Sequence, residues 1–172
     1  KRPQLDLSKL LKEIYETTSS FQMLPSQNAA KWNLSFLISY IVETHHQYVK
    51  EAIPTLMRYT EKIASVHGKN HPELLKVQSL FKVLSIELTT HLQKEEKVLF
   101  PYIKALVAAE NNTQPLQAAH FGTVQNPINM MEMEHELVGK NLEEIRELSK
   151  NYALPEEPCA NYVLLYRRLY EF

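Results

Sequence analysis

A histidine and a glutamate four residues apart, His91 and Glu95, form the pair in this sequence with the clearest chemistry. Residues at that spacing project from one face of a helix, so an imidazole and a carboxylate can converge on one ion. Both lie on the series Leu84, Leu88, His91, Glu95, Val98 and Tyr102, whose spacings of three and four mark the buried side of a helix. A carboxylate on a core face is costly unless it is paired, protonated or metal-bound. Two more stripes carry a histidine at mid-length: Val42, His46, Val49, Ile53, Leu56, and Ile128, Met131, His135, Val138, Leu142, Ile145. His46, His91, Glu95 and His135 are therefore the candidate metal ligands. Nitrogen and oxygen donors without a thiolate suit iron, manganese or zinc, and a carboxylate able to bridge favours a dinuclear centre.

Each residue alone has a plainer reading. A histidine on an apolar stripe is commonly a hydrogen-bonded core residue, and Glu95 sits between Lys94 and Glu96 as a solvated face would. The coincidence on three helices is what favours a metal site. His45 adjoins His46 on a second series, Leu34, Ile38 and Ile41. His67 and His71 flank Gly68 and fit helix ends or solvent, and His120 falls in a loop. Glu134 and Glu136 read as surface charges beside His135, Glu134 with the option of orienting a ligand. Cys159 opens a helix, where a thiolate is stabilised, yet reads more simply as a buried cysteine.

The elements that must position these residues follow from the breaks. A short helical pattern over Leu5–Tyr15 and a connector over Phe21–Lys31 set residues 1–30 apart from a bundle over 31–172. A first long helix starts at Asn33 or Ser35, either able to cap it, and stops at Gly68, with a kink at Pro54. A second begins at Pro72 and runs to Ala109, kinked at Pro101. A loop over Gln114–Asn126 leads to a third, from Pro127 or Ile128 to Asn151. The fourth begins near Cys159 and carries the stripe Tyr162, Leu165, Leu169, Phe172. Long helices joined by moderate loops predict an all-α, up-and-down antiparallel four-helix bundle.

Composition agrees and excludes. With 172 residues, 44% hydrophobic, only 3 Gly, and 9 Pro in clusters, the chain suits long helices with sharp breaks. A formal net charge of −1 gives nucleic-acid binding no electrostatic support. The single cysteine excludes a disulfide scaffold. No apolar run approaches about 18 residues, and nothing resembles a signal peptide, so a cytoplasmic protein without a membrane partner is the expectation. An exposed fourth-helix stripe would point to a homodimer face; the sequence leaves that open.

Several stretches together resemble a known family. They are Thr44-His45-His46-Gln47-Tyr48-Val49, His91-Leu92-Gln93-Lys94-Glu95-Glu96 with Leu99-Phe100-Pro101, Phe121-Gly122-Thr123-Val124-Gln125-Asn126-Pro127-Ile128, Met133-Glu134-His135-Glu136, and Asn151-Tyr152-Ala153-Leu154-Pro155 followed by Cys159. From Trp32 to Phe172 the chain resembles the hemerythrin-like domain of the iron–sulfur cluster repair (Repair of Iron Centres) proteins. The resemblance implies a four-helix bundle with a non-haem di-iron centre. In it His46, His91 and His135 are iron ligands and Glu95 is one of two bridging carboxylates. It also implies repair of iron–sulfur clusters damaged by oxidative or nitrosative stress, with damaged iron–sulfur proteins as partners and nitric oxide or dioxygen as small ligands. Whether the site reduces nitric oxide as an enzyme or donates iron stays open. A dioxygen or nitric oxide sensor or carrier, and a metal-free helical interaction domain, are the alternatives.

Two departures stand out. The family's last helix bears a second His-x-x-x-Glu pair, to which no residue here corresponds. The fourth helix therefore reads as truncated, and the four remaining ligands are expected to hold fewer than two irons, or none. The family's N-terminal di-cysteine domain has no counterpart in residues 1–30.

Overall fold

The computed structural model describes residues 32–111 and 119–172. The short helix and connector expected over residues 1–30 lie outside the described residues. The chain divides into two compact units, Lys1–Leu37 and Ile38–Phe172. In the first, Asn33 Oδ1 accepts the Ser35 backbone N–H at 2.9 Å, so Asn33 supplies the expected cap. Trp32 meets Phe36 edge-on, 5.1 Å between centroids.

Six α-helical segments follow: α1 (Leu34–Tyr40), α2 (Gln47–His67), α3 (Glu73–Lys94), α4 (Phe100–Glu110), α5 (Gln125–Leu148) and α6 (Ala160–Glu171). They make four long stretches, because π-helical turns join α1 to α2 (Ile41–His46) and α3 to α4 (Glu95–Leu99). A π turn inserts one residue into the helical ladder and is frequently found at functional sites. Here one ends on His46 and the other begins on Glu95. Among the described residues the fold is all-α, with one isolated backbone bridge between Ala119 and Gly122.

The helix ends fall within a few residues of where the sequence places them, with altered reasons, while α2 runs as one helix through Pro54. Pro101 comes directly after a π turn, in the first turn of α4, where the helical ladder is already irregular and a proline, which cannot donate to it, is accommodated. Gly68 keeps a right-handed backbone, φ −61°, so it is not a left-handed helix stop. A Cβ there would lie 2.3 Å from the Ala64 carbonyl oxygen and 3.0 Å from Leu75 Cδ2, and close approach explains the glycine. Beyond α5, Lys150, Asn151 and Tyr152 all have left-handed φ, 51°, 62° and 61°. That costs free energy at each residue. Four bonds offset it: Lys150 N–H to the Glu147 carbonyl (2.9 Å), Asn151 N–H to Arg146 (2.8 Å), Ala153 N–H to Ser149 (3.0 Å), and Tyr152 N–H to Ser149 Oγ (3.1 Å).

Within the second unit α2 packs on α3, α3 on α5, and α2 on α6. The larger core joins all four. Leu56 and Ile63 of α2, Leu74, Val77, Phe81 and Leu84 of α3, Ile145 of α5, and Tyr162, Leu165 and Leu169 of α6 are each at most 2% exposed. Burial of each such side chain contributes about 1.5–3 kcal/mol. The fourth stripe is thus inside the bundle, and the exposed face that would have argued for a homodimer is not there. A smaller cluster, Ile38, Leu99, Phe100 and Met131, lies with the π turns. No described helix is long and apolar enough to cross a membrane.

Candidate metal centre

The four ligand candidates are brought together beside the smaller cluster. His46, at the end of its π turn, is 3% exposed, whereas His45 is exposed and meets Tyr40 edge-on. The stripe containing His46 is therefore the one that turns inward. His46 stacks on Phe100, centroids 5.7 Å apart and planes 20° from parallel. Its Nε2 lies 2.9 Å from Glu95 Oε2. His91 is also 3% exposed, and its Nε2 approaches the same Glu95 oxygen at 3.5 Å. His135 Nε2 is 2.9 Å from His91 Nε2. One donor atom each from His91, Glu95 and His135 falls within 4.8 Å of the others.

Glu95 Oε2 is the atom this arrangement shares: His46 Nε2 and His91 Nε2 both approach it, and His135 reaches it through His91. His135, expected on a buried stripe, sits on an exposed position of α5 and turns its Nε2 in to His91. The cluster is therefore closed by buried histidines at the start of α2 and on α3, and open toward α5.

Two carboxylates outside the sequence-derived set complete the geometry. Glu96 Oε1 lies 2.8 Å from His46 Nδ1 and 2.6 Å from Lys50 Nζ. Glu134 Oε2 lies 2.9 Å from His91 Nδ1, and its other oxygen accepts from Lys94. Glu134 thus serves the histidine of the neighbouring helix, not His135 beside it, while Glu136 is exposed next to Lys140. Glu96 had been passed over as a solvated neighbour of Glu95. On a regular α-helix the two point about 100° apart, and no sequence signal marks the π turn that starts between Lys94 and Glu95.

Charge follows from these contacts. Burial opposes charge on Glu95, but His91 and His46 prevail and hold its pKa below the usual carboxylate range. Lys50, ahead of the opposing effect of burial and with help from His46, lowers that of Glu96. Burial of Glu134 is likewise outweighed by Lys94 and His91. For His91 burial disfavours the cation, yet Glu95 and Glu134 together raise its pKa above the ordinary histidine value. Among the described residues every buried side-chain nitrogen and oxygen has a partner, so the donors are held by one another.

The residues fit a cation. The donor set is imidazole and carboxylate only, the donor atoms converge, and both buried histidines have Nδ1 occupied by an outer carboxylate, leaving Nε2 to face inward. The other histidines stand apart. His67 Nε2 is 3.2 Å from Cys159 Sγ, and His71 Nδ1 is 3.0 Å from Glu73. His120 is exposed beside Phe121. Cys159, read as buried, is exposed: it is the extended residue just before α6, outside the apolar stripe of that helix.

Comparisons with known proteins point the same way. The hemerythrin HHE cation binding domain matches residues 37–172. Iron-sulfur cluster repair protein ScdA of Staphylococcus epidermidis is 30% identical over 171 residues, covering 98% of this chain and 70% of that protein. A probable iron-sulfur cluster repair protein of Haemophilus influenzae is 29% identical over 166 residues, 94% of this chain and 69% of that one. Iron-sulfur cluster repair protein YtfE of Yersinia pseudotuberculosis is 32% identical over 139 residues, 81% and 57% respectively. With the cation-binding domain spanning its bundle and this likeness along nearly its whole length, the chain belongs to the hemerythrin-like family of iron–sulfur cluster repair proteins.

Proposed function

We propose that this chain is a non-haem iron protein that helps repair iron–sulfur clusters damaged by oxidative or nitrosative stress. His46, His91, Glu95 and His135 would be its ligands, with Glu95 the carboxylate that both His46 and His91 approach. The observation that carries this reading is the single oxygen, Glu95 Oε2, approached by both His46 Nε2 and His91 Nε2. A simple ion pair needs one partner, whereas a metal-binding carboxylate sits among several converging donors.

The arrangement of helices supports the same reading. His46 meets Glu95 and Met57 meets Ser85; His91 meets Glu134 and Glu87 meets Asn141; Tyr48 meets Glu171 and His67 meets Cys159. In each pair of helices numbers rise along one as they fall along the other, as in an up-and-down antiparallel bundle. Inward-facing histidines and glutamates on neighbouring helices are how such bundles hold iron.

Iron held by these residues supplies one-electron chemistry and exchangeable positions for nitric oxide or dioxygen. The protein's part is to present neutral imidazole nitrogens and one shared carboxylate, and to keep the α2–α3 side of the site dry while its α5 side stays open. In this reading the partners are damaged iron–sulfur proteins and the work is cytoplasmic.

The test is repair itself. A dehydratase whose four-iron cluster has been damaged by peroxide is incubated with the iron-loaded protein, with an equal amount of free ferrous iron, and with the Glu95→Gln variant. Recovery of dehydratase activity with the loaded protein, above both controls, is the expected result. Iron binding without recovery would overturn the repair role and leave a sensor or carrier.

A further inference from the structure

Two arrangements around the site share one plan. His46, the last residue of the π turn before α2, and Lys50 of α2 stand one turn apart and both hold Glu96, which comes from the next long helical stretch. On α3, His91 and Lys94 stand one turn apart and both hold Glu134, which comes from α5. In each case a buried imidazole points Nδ1 outward to a carboxylate, and the lysine of the same helix closes on that carboxylate. The histidine side chains are 4% exposed, while Glu96 and Glu134 are 28% and 26% exposed. A carboxylate at such a rim has water available to it. That both instead face a histidine Nδ1 is a built feature, not the result of enforced burial.

We propose that Glu96 and Glu134 are positioning residues of the centre, each holding one histidine by its Nδ1–H so that Nε2 faces the Glu95 carboxylate. Lys50 and Lys94 in turn fix the two carboxylates. The chemistry requires some such device. A neutral imidazole presents a lone pair at only one nitrogen, and the partner at the other nitrogen selects which. It also fixes the ring about its Cβ–Cγ bond, and outer partners of this kind are typically worth about ten- to a hundredfold in metal affinity. Each clamp also crosses from one helix to the next, so the ligand's orientation is tied to the packing of the pair it joins. The plainer account is that these are two interhelical ion pairs with no bearing on the histidines.

This inference rests on the proposed metal site for its purpose, but its geometry is testable without metal. In the metal-free protein, nitrogen-15 spectra of the histidines are expected to show solvent-protected Nδ1–H protons on His46 and His91. Glu96→Leu should remove the first and Glu134→Leu the second, whereas Glu96→Gln and Glu134→Gln, which keep an acceptor oxygen, should retain them. Anaerobic titration with ferrous iron should show about ten- to a hundredfold weaker binding for each leucine variant and a smaller loss for each glutamine variant. Thermal melting of the metal-free variants checks that each folds. Absence of both Nδ1–H protons from the wild type, or leucine variants indistinguishable from glutamine variants in spectra and iron affinity, would overturn the proposal. Protected Nδ1–H protons in a wild type that takes up no iron would instead overturn the metal site and leave the clamps standing.

Discussion

The two ends of the bundle use histidine in opposite ways. At one end His46 and His91 are buried, each between an inner and an outer carboxylate, where both long helices pass through π turns. At the other, His67 and His71 lie at the rim over Tyr162, ring centroids 5.6 and 5.8 Å away, and their partners are a lone thiol and a lone carboxylate. The apolar core divides unequally as well. The cluster containing Phe81, Leu84, Ile145 and Tyr162 joins four helices, whereas the cluster beside the ligands has four buried members. Folding free energy is concentrated away from the chemistry. The site end gives up regular helix and apolar volume for converging polar groups, and its buried histidines are held chiefly by carboxylates, with Phe100 stacked on His46.

Removing a side chain from the large core should give the largest effect. Phe81→Ala is expected to cost about 3–5 kcal/mol by urea unfolding, yet leave iron affinity per folded molecule unchanged. A parallel loss of affinity would show that the two ends are not separable. Next is Gly68→Ala, which forces a Cβ against the Ala64 carbonyl and Leu75. A loss of about 1–3 kcal/mol is expected, as for other overpacked positions, again without an effect on metal.

The site end should instead be recognised by its pH dependence. His91 has a raised pKa, so its contribution is complete below the ordinary value of about 6.5 and is lost as pH rises through the higher folded value. Glu95, Glu96 and Glu134 have lowered pKa values, so theirs is present above the ordinary carboxylate range and is lost as pH falls. The metal-free protein should therefore melt highest at mildly acidic to neutral pH. Phe81→Ala should lower that curve without changing its shape, and Glu134→Gln should flatten its alkaline limb. Iron affinity should rise with pH over the same range, because ligands must be deprotonated. The smallest effect is a gain. Gly139 lies within α5 with open space around an added Cβ, and Gly139→Ala should stabilise by about 0.5–1 kcal/mol, read from the melting temperature.

Much of this was legible because apolar periodicity reports what faces inward. That period leans modestly to His46 over His45 and places His91 and Glu95 on one face, while the capping and breaking residues set Asn33, Pro72 and Cys159 at helix starts. What escaped it depends on contacts across helices. Glu96 is adjacent to Glu95 and looks solvated until the π turn and Lys50 are seen. Glu134 was linked in sequence to His135 but belongs in space to His91. His135 follows the apolar period yet remains exposed, since a stripe gives direction without saying how closely the next helix covers it. The role of Gly68 turns on Leu75 across the helix break, and the surroundings of Cys159 on His67, distant in the chain.

Glu95 is the residue on which the account turns, and exchange of one of its oxygens for an amide nitrogen is the sharpest probe. Anaerobic titration of wild type and Glu95→Gln with ferrous iron, with melting of both metal-free proteins alongside, measures it directly. The account predicts saturable iron binding by the wild type. For the variant it predicts affinity lower by at least about a hundredfold, beyond the usual effect of an outer partner, in a protein that still melts cooperatively. Equal iron binding by the two proteins would contradict it.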